Sequence, residues 1–340
     1  MRRIIHLIPY DGIGGVEEAA RSMAGACRDG MAFEVRWLFP NVTSAEQRRA
    51  TNDPLRILRA GYGLARERPD TLIVSLWRAA LAGCVARLLS RRIRLVLFLH
   101  NSRDAHRLDR IATRCAAWLA DEIWADSEAT VRMRFGRPPE RPVKVISYRI
   151  RRVAEMPSDS GAAPRPVLVF WGRLAAQKNL SRALAIFSRI RERRPDAEFR
   201  IIGPDGDEAE MLRARVAAVA LGDSVRFLGP LPFEQIAEAA RGASFYLQTS
   251  THEGMAIAVT EAMQMGLVPV VTPVGEIERY CRDGENAILV EDDDRAAGAV
   301  LALLPASQDY QALRRRAIAE WDGVPLYSDA VFDALRHDGE

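Results

Sequence analysis

Lysine is almost missing from this 340-residue chain: of 48 basic residues only Lys144 and Lys178 are lysines, and the rest are arginines. Cysteine is scarce too. Cys27, Cys84, Cys115 and Cys281 lie far apart, with no CxxC pair and no Cys/His cluster, which excludes a disulfide framework and a structural zinc site and fits a reducing cytoplasmic compartment. Apolar runs such as 95–99 span only a few residues, so no transmembrane helix is expected. Met1-Arg2-Arg3 leads straight into a strand-like run at 4–8, and no secretory leader is expected there. Nucleic acid is disfavoured as a partner, because no basic patch is interleaved with aromatics and no recognised nucleic-acid motif is present. The dinucleotide fingerprint is also incomplete. In Gly12-Ile13-Gly14-Gly15-Val16 the third glycine of GxGxxG would fall at Glu17, and Leu38-Phe39-Pro40-Asn41 offers no acid to close the second strand, so a nicotinamide enzyme is disfavoured.

What is present is a regular alternation of strand and helix patterns. Strand-like runs at 4–8, 33–39, 71–76, 95–99 and 122–125 are separated by helical stretches, and the design repeats at 167–171, 198–202, 225–228, 245–247, 268–271 and 287–290. The expected fold is α/β: two doubly wound, Rossmann-like domains facing across a cleft. The first is expected over 1–150 and the second over 167–325, joined by a linker at 151–166 that holds several prolines and Ser158-Asp159-Ser160-Gly161. A last helix with Val331, Phe332 and Leu335 at helical spacing is expected within 326–340, packed back on the first domain.

The most chemically suggestive stretch runs from Glu253 to Glu261. Glu253 sits on a turn after the apolar run 244–248, and Glu261 lies on the helix that follows, two turns in. Between the carboxylates lies a helix N-terminus, whose free N–H groups and positive dipole end suit an anionic or hydroxyl-rich ligand. Spacing alone equally fits a solvated glutamate on a helix that merely follows a loop. Arg173 and Lys178 flank the turn after the strand 167–171, at the carboxyl end where ligands gather in open α/β sheets, and two cations there fit a diphosphate. The bland alternative is a pair of surface cations. A compact ammonium kept in an arginine-dominated chain argues mildly against it.

Four ordered pieces then carry a resemblance: Phe170-Trp171-Gly172-Arg173-Leu174 with Lys178-Asn179, Arg200-Ile201-Ile202-Gly203, Val225-Arg226-Phe227-Leu228-Gly229, and Glu253 through Glu261. Across 166–290 the chain resembles the nucleotide-binding half of retaining GT-B glycosyltransferases of family 4, the glycosyl transferases group 1. The resemblance implies that Arg173 and Lys178 hold the diphosphate, that Glu261 accepts from the ribose hydroxyls, and that Glu253 with the N–H groups of Gly254, Met255 and Ala256 holds the transferred sugar. It implies that the turn Gly229-Pro230-Leu231 lines the base, that Gly14 and Gly15 close over the donor diphosphate or acceptor, and that His100 touches a sugar or acceptor hydroxyl. On general grounds a lone histidine at a strand end is more often structural. Asp126-Ser127-Glu128 also matches the family, and Ser127 reads as the N-cap of the next helix.

Charge is unevenly shared, with a net of +10 in residues 1–150 and −7 in 151–340. In the basic half Arg103, Arg107, Arg110 and Arg114 recur at helical spacing beside an apolar stripe of Leu108, Ile111, Cys115 and Trp118. One reading is a helix on an anionic membrane surface. The other is a solvated basic face whose apolar side belongs to the core.

Asp292-Asp293-Asp294 has the DxD spacing that metal-dependent glycosyltransferases of another fold use. It precedes a helix at 295–304 and reads as N-terminal capping, so no metal and no cofactor are expected. The expected function is transfer of a hexose, with retention, from a UDP-, GDP- or ADP-sugar to a hydroxyl of a glycan or lipid-linked acceptor in bacterial surface polysaccharide or lipopolysaccharide assembly. A sugar-nucleotide epimerase of the same fold and a non-catalytic nucleotide-sugar-binding subunit are the alternatives.

Overall fold

The computed structural model describes residues 1–12, 14–40, 53–100, 104–137, 139–157, 163–219 and 221–336. Ser158 to Gly161 of the expected linker lie outside the described residues. The chain forms two compact units: Met1–Arg151, joined by the returning segment from Pro325, and Arg152–Val324.

The first unit runs β1 (Arg2–Tyr10), α1 (Gly15–Ser22), β2 (Cys27–Arg28), β3 (Met31–Phe39), α2 (Pro54–Glu67), β4 (Thr71–Ser75), α3 (Leu76–Leu89), β5 (Arg94–Leu99), α4 (Arg107–Leu119), β6 (Glu122–Ala125), α5 (Glu128–Phe135) and β7 (Val143–Val145). Its seven strands are ordered β2-β3-β1-β4-β5-β6-β7, parallel except for the short β2 on β3. The apolar runs are buried on both faces, as a parallel sheet covered by helices demands. Local chemistry marks the helix starts. Asp53 accepts from the amides of Leu55 and Arg56 ahead of Pro54 at the first helical position, and Ser127 Oγ accepts from the amide of Thr130.

The second unit runs β8 (Val167–Trp171), a 3-10 turn (Ala176–Lys178), α6 (Leu180–Arg193), β9 (Glu198–Ile202), α7 (Ala209–Ala218), β10 (Val225–Gly229), α8 (Phe233–Ala239), β11 (Phe245–Gln248), α9 (Ile257–Met265), β12 (Val268–Val271), α10 (Ile277–Tyr280), β13 (Ile288–Leu289), α11 (Asp293–Leu303) and α12 (Ser307–Ala319). Its six parallel strands follow the order β10-β9-β8-β11-β12-β13. This is the doubly wound arrangement in which the chain starts at a central strand, winds to one edge, and returns to fill the other side.

The segment after Arg151 is not a free tether. Val153 and Met156 pack on the core of the second unit, the Met156 amide donates to the carbonyl of Met265, and Arg314 donates to the Met156 carbonyl. The last helix, α13 (Tyr327–Arg336), belongs to the first unit. Its Tyr327, Val331, Phe332 and Leu335 are buried, with Phe332 edge-on to Phe33 and Tyr327 stacked near Phe98. Fully burying each such side chain contributes about 1.5–3 kcal/mol. Polar contacts fix its register: the Tyr327 amide donates to the Arg149 carbonyl, Arg28 pairs with Asp329, and Lys144 Nζ donates to the Ala334 carbonyl while pairing with Glu122.

One expectation inverts. The apolar stripe of α4 is not core: Leu108, Ile111, Cys115 and Trp118 all face solvent, and the buried face is Asp109, Ala112, Thr113, Ala116 and Ala117. Small residues let α4 lie close against α3, and Asp109 is tolerated inside because Arg134 and Thr113 satisfy it.

Candidate active site

The order of the second sheet reverses at β8, which has β9 on one side and β11 on the other, so the crevice at the carboxyl ends of β8 and β11 is the place where such a sheet receives a ligand. The segments leaving these two strands carry Arg173, Lys178, Glu253 and Glu261.

Backbone conformations that favour glycine bring the loops together. Gly203 has φ +144°, and a Cβ on it would stand 1.8 Å from the Gly172 carbonyl oxygen, so the chain leaving β9 presses directly on the chain leaving β8. Gly275, with φ +63°, would place a Cβ 2.3 Å from the Glu253 carbonyl oxygen, which locks the loop after β12 against the Glu253 turn. That turn is zipped to the 3-10 turn as well: the Thr251 amide donates to the Gln177 carbonyl, Gln177 Nε2 donates to the His252 carbonyl, and Thr249 Oγ1 donates to the Asn179 carbonyl.

At the centre, Lys178 Nζ lies 2.6 Å from Glu253 Oε1, with side-chain exposures of only 18% and 7%. Gln248 Nε2 donates to the same oxygen at 3.2 Å, and the Tyr246 hydroxyl behind it donates to Gln248 Oε1 at 2.8 Å. Burial, with the nearby carboxylates of Glu253 and Glu261, holds the Tyr246 hydroxyl well above its ordinary pKa, so it stays a donor. Glu261 is buried on α9 and accepts from Trp171 Nε1 at 3.1 Å, tying the helix to the end of β8. Arg173 is exposed and forms no ion pair with a described residue.

The sequence pattern reads as a helix over Met255 to Met265, but the helix begins two residues later. Met255 and Ala256 are not helical, because Ala256 adopts the left-handed conformation at φ +53° and the first helical residue is Ile257. The turn is braced from behind: the Glu276 amide donates to the Gly254 carbonyl and the Tyr280 hydroxyl to the Met255 carbonyl. The amides of Gly254, Met255 and Ala256 donate to no described backbone carbonyl, leaving a row of N–H groups beside Glu253 at a helix N-terminus. Gly229 ends β10 in the left-handed conformation, and Leu231 after it is half-buried on the core of this unit.

The remaining sequence candidates lie in the first unit. Gly14 precedes α1 in extended backbone that any residue adopts, and Gly15 is the first residue of that helix. His100 has a different set of partners from the sugar hydroxyl expected of it. It is 6% exposed, its Nε2 faces Ser75 Oγ at 2.8 Å, its Nδ1 faces the Tyr148 hydroxyl at 3.0 Å, and the chain continues from Ser75 to His6 Nε2 at 2.7 Å. Both ring nitrogens are thereby committed, and burial lowers the pKa of both imidazoles, His6 to about 3. His100 thus belongs to a buried hydrogen-bonded network, and the ring lines a cavity of about 160 Å³ with Tyr10, Trp77, Asp109 and Arg134.

The aspartate run is structural. Asp292 accepts from the Arg295 amide at the start of α11, Asp293 pairs with Arg182, and Asp294 pairs with Arg189. Gln248, Tyr246 and Gly275 were not singled out by sequence. Gln248 had a legible signal, a polar residue closing a buried strand.

Residues 154–320 match the family described as glycosyl transferases group 1. The chain is 29% identical over 193 residues to the GDP-mannose:cellobiosyl-diphosphopolyprenol alpha-mannosyltransferase of Xanthomonas oryzae pv. oryzae (strain PXO99A), covering 54% of this chain and 51% of that protein. It is 29% identical over 241 residues to the D-inositol 3-phosphate glycosyltransferase of Acidothermus cellulolyticus, covering 63% and 53%. The chain thus spans about half the length of these curated relatives. The structure of Anabaena Alr3699/HepE in complex with UDP-glucose superposes with a TM-score of 0.78 at 18% identity, covering 98% of each chain. The chain has two doubly wound units of the GT-B fold, and its second unit, matched almost throughout, belongs to the glycosyl transferases group 1 family.

Proposed function

We propose that this protein is a glycosyltransferase that moves a hexose, with retention, from a nucleoside-diphosphate sugar to a hydroxyl of a glycan or lipid-linked acceptor, in cytoplasmic assembly of a bacterial surface polysaccharide or lipopolysaccharide. The observation that carries this reading is the buried Lys178–Glu253 pair at the switch point of the second sheet, beside amides that donate to no described backbone carbonyl. In it, Lys178 and Arg173 take the diphosphate, Glu261 accepts from the ribose, and the turn at Gly229 and Leu231 lines the base. Glu253 and the amides of Gly254, Met255 and Ala256 hold the sugar hydroxyls.

The chemistry follows from that placement. The bond between the anomeric carbon and the diphosphate oxygen breaks while the acceptor oxygen bonds to the same face of that carbon. The departing diphosphate oxygen takes the acceptor proton. Lys178 and Arg173 stabilise the charge that builds on the leaving group, the kind of electrostatic contribution that dominates such transfers. No metal is assigned a role, and transfer is expected to persist in excess chelator. The uridine nucleotide bound by Alr3699/HepE and the guanosine donor named for the Xanthomonas relative make UDP and GDP the first candidates.

A thermal-shift panel with UDP, GDP, ADP and NAD tests the site. A ligand at a hundred times its Kd stabilises the native state by about 2.7 kcal/mol. A clear rise with one nucleoside diphosphate supports the reading, and a rise with NAD alone defeats it.

A further inference from the structure

The exposed stripe of α4 is part of a larger surface. The crossovers from β3 to β4, β4 to β5 and β5 to β6 run the same way along the sheet, which puts α2, α3 and α4 side by side on one face, with α3 in the middle. Outward on α4 stand Leu108, 61% exposed, Ile111, 58%, and Trp118, 72%. On α2, Leu55, Leu58 and Tyr62 are exposed, and α3 ends in exposed Leu88 and Leu89. Large side chains so open, recurring on three adjacent helices, form a patch rather than scattered surface residues.

The charges on this face have one sign. The three helices carry eight arginines and two acids, and neither acid is free: Asp109 is buried against Arg134, and Glu67 pairs with Arg36 and Arg3 at the end of α2. Arg110 is matched by Asp104 and Arg87 by Asp121, but Arg59, Arg66, Arg107 and Arg114 form no ion pair with a described residue. Such a face disfavours a second copy of itself, because a two-fold contact would oppose arginines that lack a carboxylate partner to one another. An anionic, apolar occupant satisfies both components.

We propose that this face docks on an anionic lipid bilayer, Leu108, Ile111 and Trp118 entering the boundary between head groups and acyl chains while Arg107, Arg114, Arg59 and Arg66 meet lipid phosphates. The geometry is that of an amphipathic helix lying in the interface plane, presented by a folded unit. No described helix is long and apolar enough to cross a membrane. The inference goes beyond the transfer reaction and does not rest on it.

The test uses the full chain with vesicles of phosphatidylcholine alone or with phosphatidylglycerol, without donor or acceptor, so its outcome is separate from the nucleotide panel. Co-sedimentation is expected with anionic vesicles only. Arg107→Gln with Arg114→Gln lowers partitioning about fivefold each, roughly 25-fold together. Leu108→Ser, Ile111→Ser and Trp118→Ser together lower it on the order of a hundredfold. Unchanged melting shows that these exposed changes leave the fold intact. A fluorophore on Cys115, in a Cys27→Ser background because Cys27 is also exposed, shifts to the blue on binding. Equal recovery with neutral and anionic vesicles, or none with either, overturns the proposal. So does a blue shift in buffer that grows with protein concentration, which would assign the face to a second copy.

Discussion

Replacing Lys178 with Met separates what the Lys178–Glu253 pair does for the fold from what its cation does for a ligand. The two groups are 2.6 Å apart and mostly shielded from water, so Lys178→Met leaves a buried carboxylate without its cation, with Gln248 Nε2 still donating to it. Breaking a buried pair by removing one partner costs about 3–5 kcal/mol, whereas replacing both partners with neutral groups of similar volume is close to neutral. For a unit of this size, about 3 kcal/mol lowers Tm by roughly 6–12 °C. Lys178→Met is therefore expected to melt well below the parent, and Lys178→Met with Glu253→Gln to recover most of the loss. The double-mutant cycle reads the coupling directly. The nucleotide response divides the roles further. If Lys178 also takes the diphosphate, the double variant regains stability but not its stabilisation by UDP or GDP, because the cation is still missing. Additive effects of the two single changes would refute the pairing argument. A full nucleotide response in the restored double variant would refute the phosphate role.

Glu261→Gln keeps an acceptor for Trp171 Nε1 but removes the charge, so the fold should hold while affinity for the nucleoside diphosphate, measured by calorimetry, falls at least about tenfold, as for a lost hydrogen bond to a charged group. Gly275→Ala sets a Cβ against the Glu253 carbonyl in a left-handed conformation and is expected to cost more than about 1 kcal/mol, with loss of nucleotide binding; a melting curve and the same titration check it. His6 and His100 are held neutral by burial, so below pH 6.5 the unfolded chain binds protons that the folded one does not. The contribution of His6 should fall by roughly 1.4 kcal/mol per pH unit down to its folded pKa of about 3, and urea titrations of His6→Gln should show a shallower loss from pH 6.5 to 4.5. Asp292→Ala removes a helix cap and should cost about 1 kcal/mol in stability, with transfer equally active in excess chelator before and after the change.

The fold was legible because parallel strands buried on both faces read as short continuous apolar runs, and their alternation with helical stretches admits little else. The added strands β2 and β7, of two and three residues, are too short to leave such a run. In the site, the Glu253 to Glu261 spacing was visible, but the start of α9 was not: Ala256 has ordinary helix chemistry and takes the left-handed conformation only because the turn is braced from behind by Glu276 and Tyr280. The rarity of lysine proved a weaker guide than it looked. Lys144 is just as rare and serves the fold, bridging Glu122 and the Ala334 carbonyl. What sets Lys178 apart is burial against a carboxylate at a switch point, which only tertiary structure displays.

The hardest feature to read was the direction in which α4 faces. A helix with Leu, Ile, Cys and Trp at intervals of three and four residues ordinarily turns that stripe inward. Here the opposite stripe of Asp109, Ala112, Thr113, Ala116 and Ala117 is inside, because alanines permit close approach to α3 and Arg134 compensates Asp109. Periodicity locates two stripes without saying which the core will take. The choice depends on the neighbour, and α3, rich in alanine, packs closely enough to leave room for small side chains only. Burying Trp118 and Ile111 would favour folding by several kcal/mol at the ordinary rate for apolar side chains, so a chain that keeps them outside forgoes that stabilisation. Solvent alone offers no return for it. The proposed docking on a lipid surface would, since it removes the same apolar area from water and brings Arg59, Arg66, Arg107 and Arg114 to phosphate at the same moment.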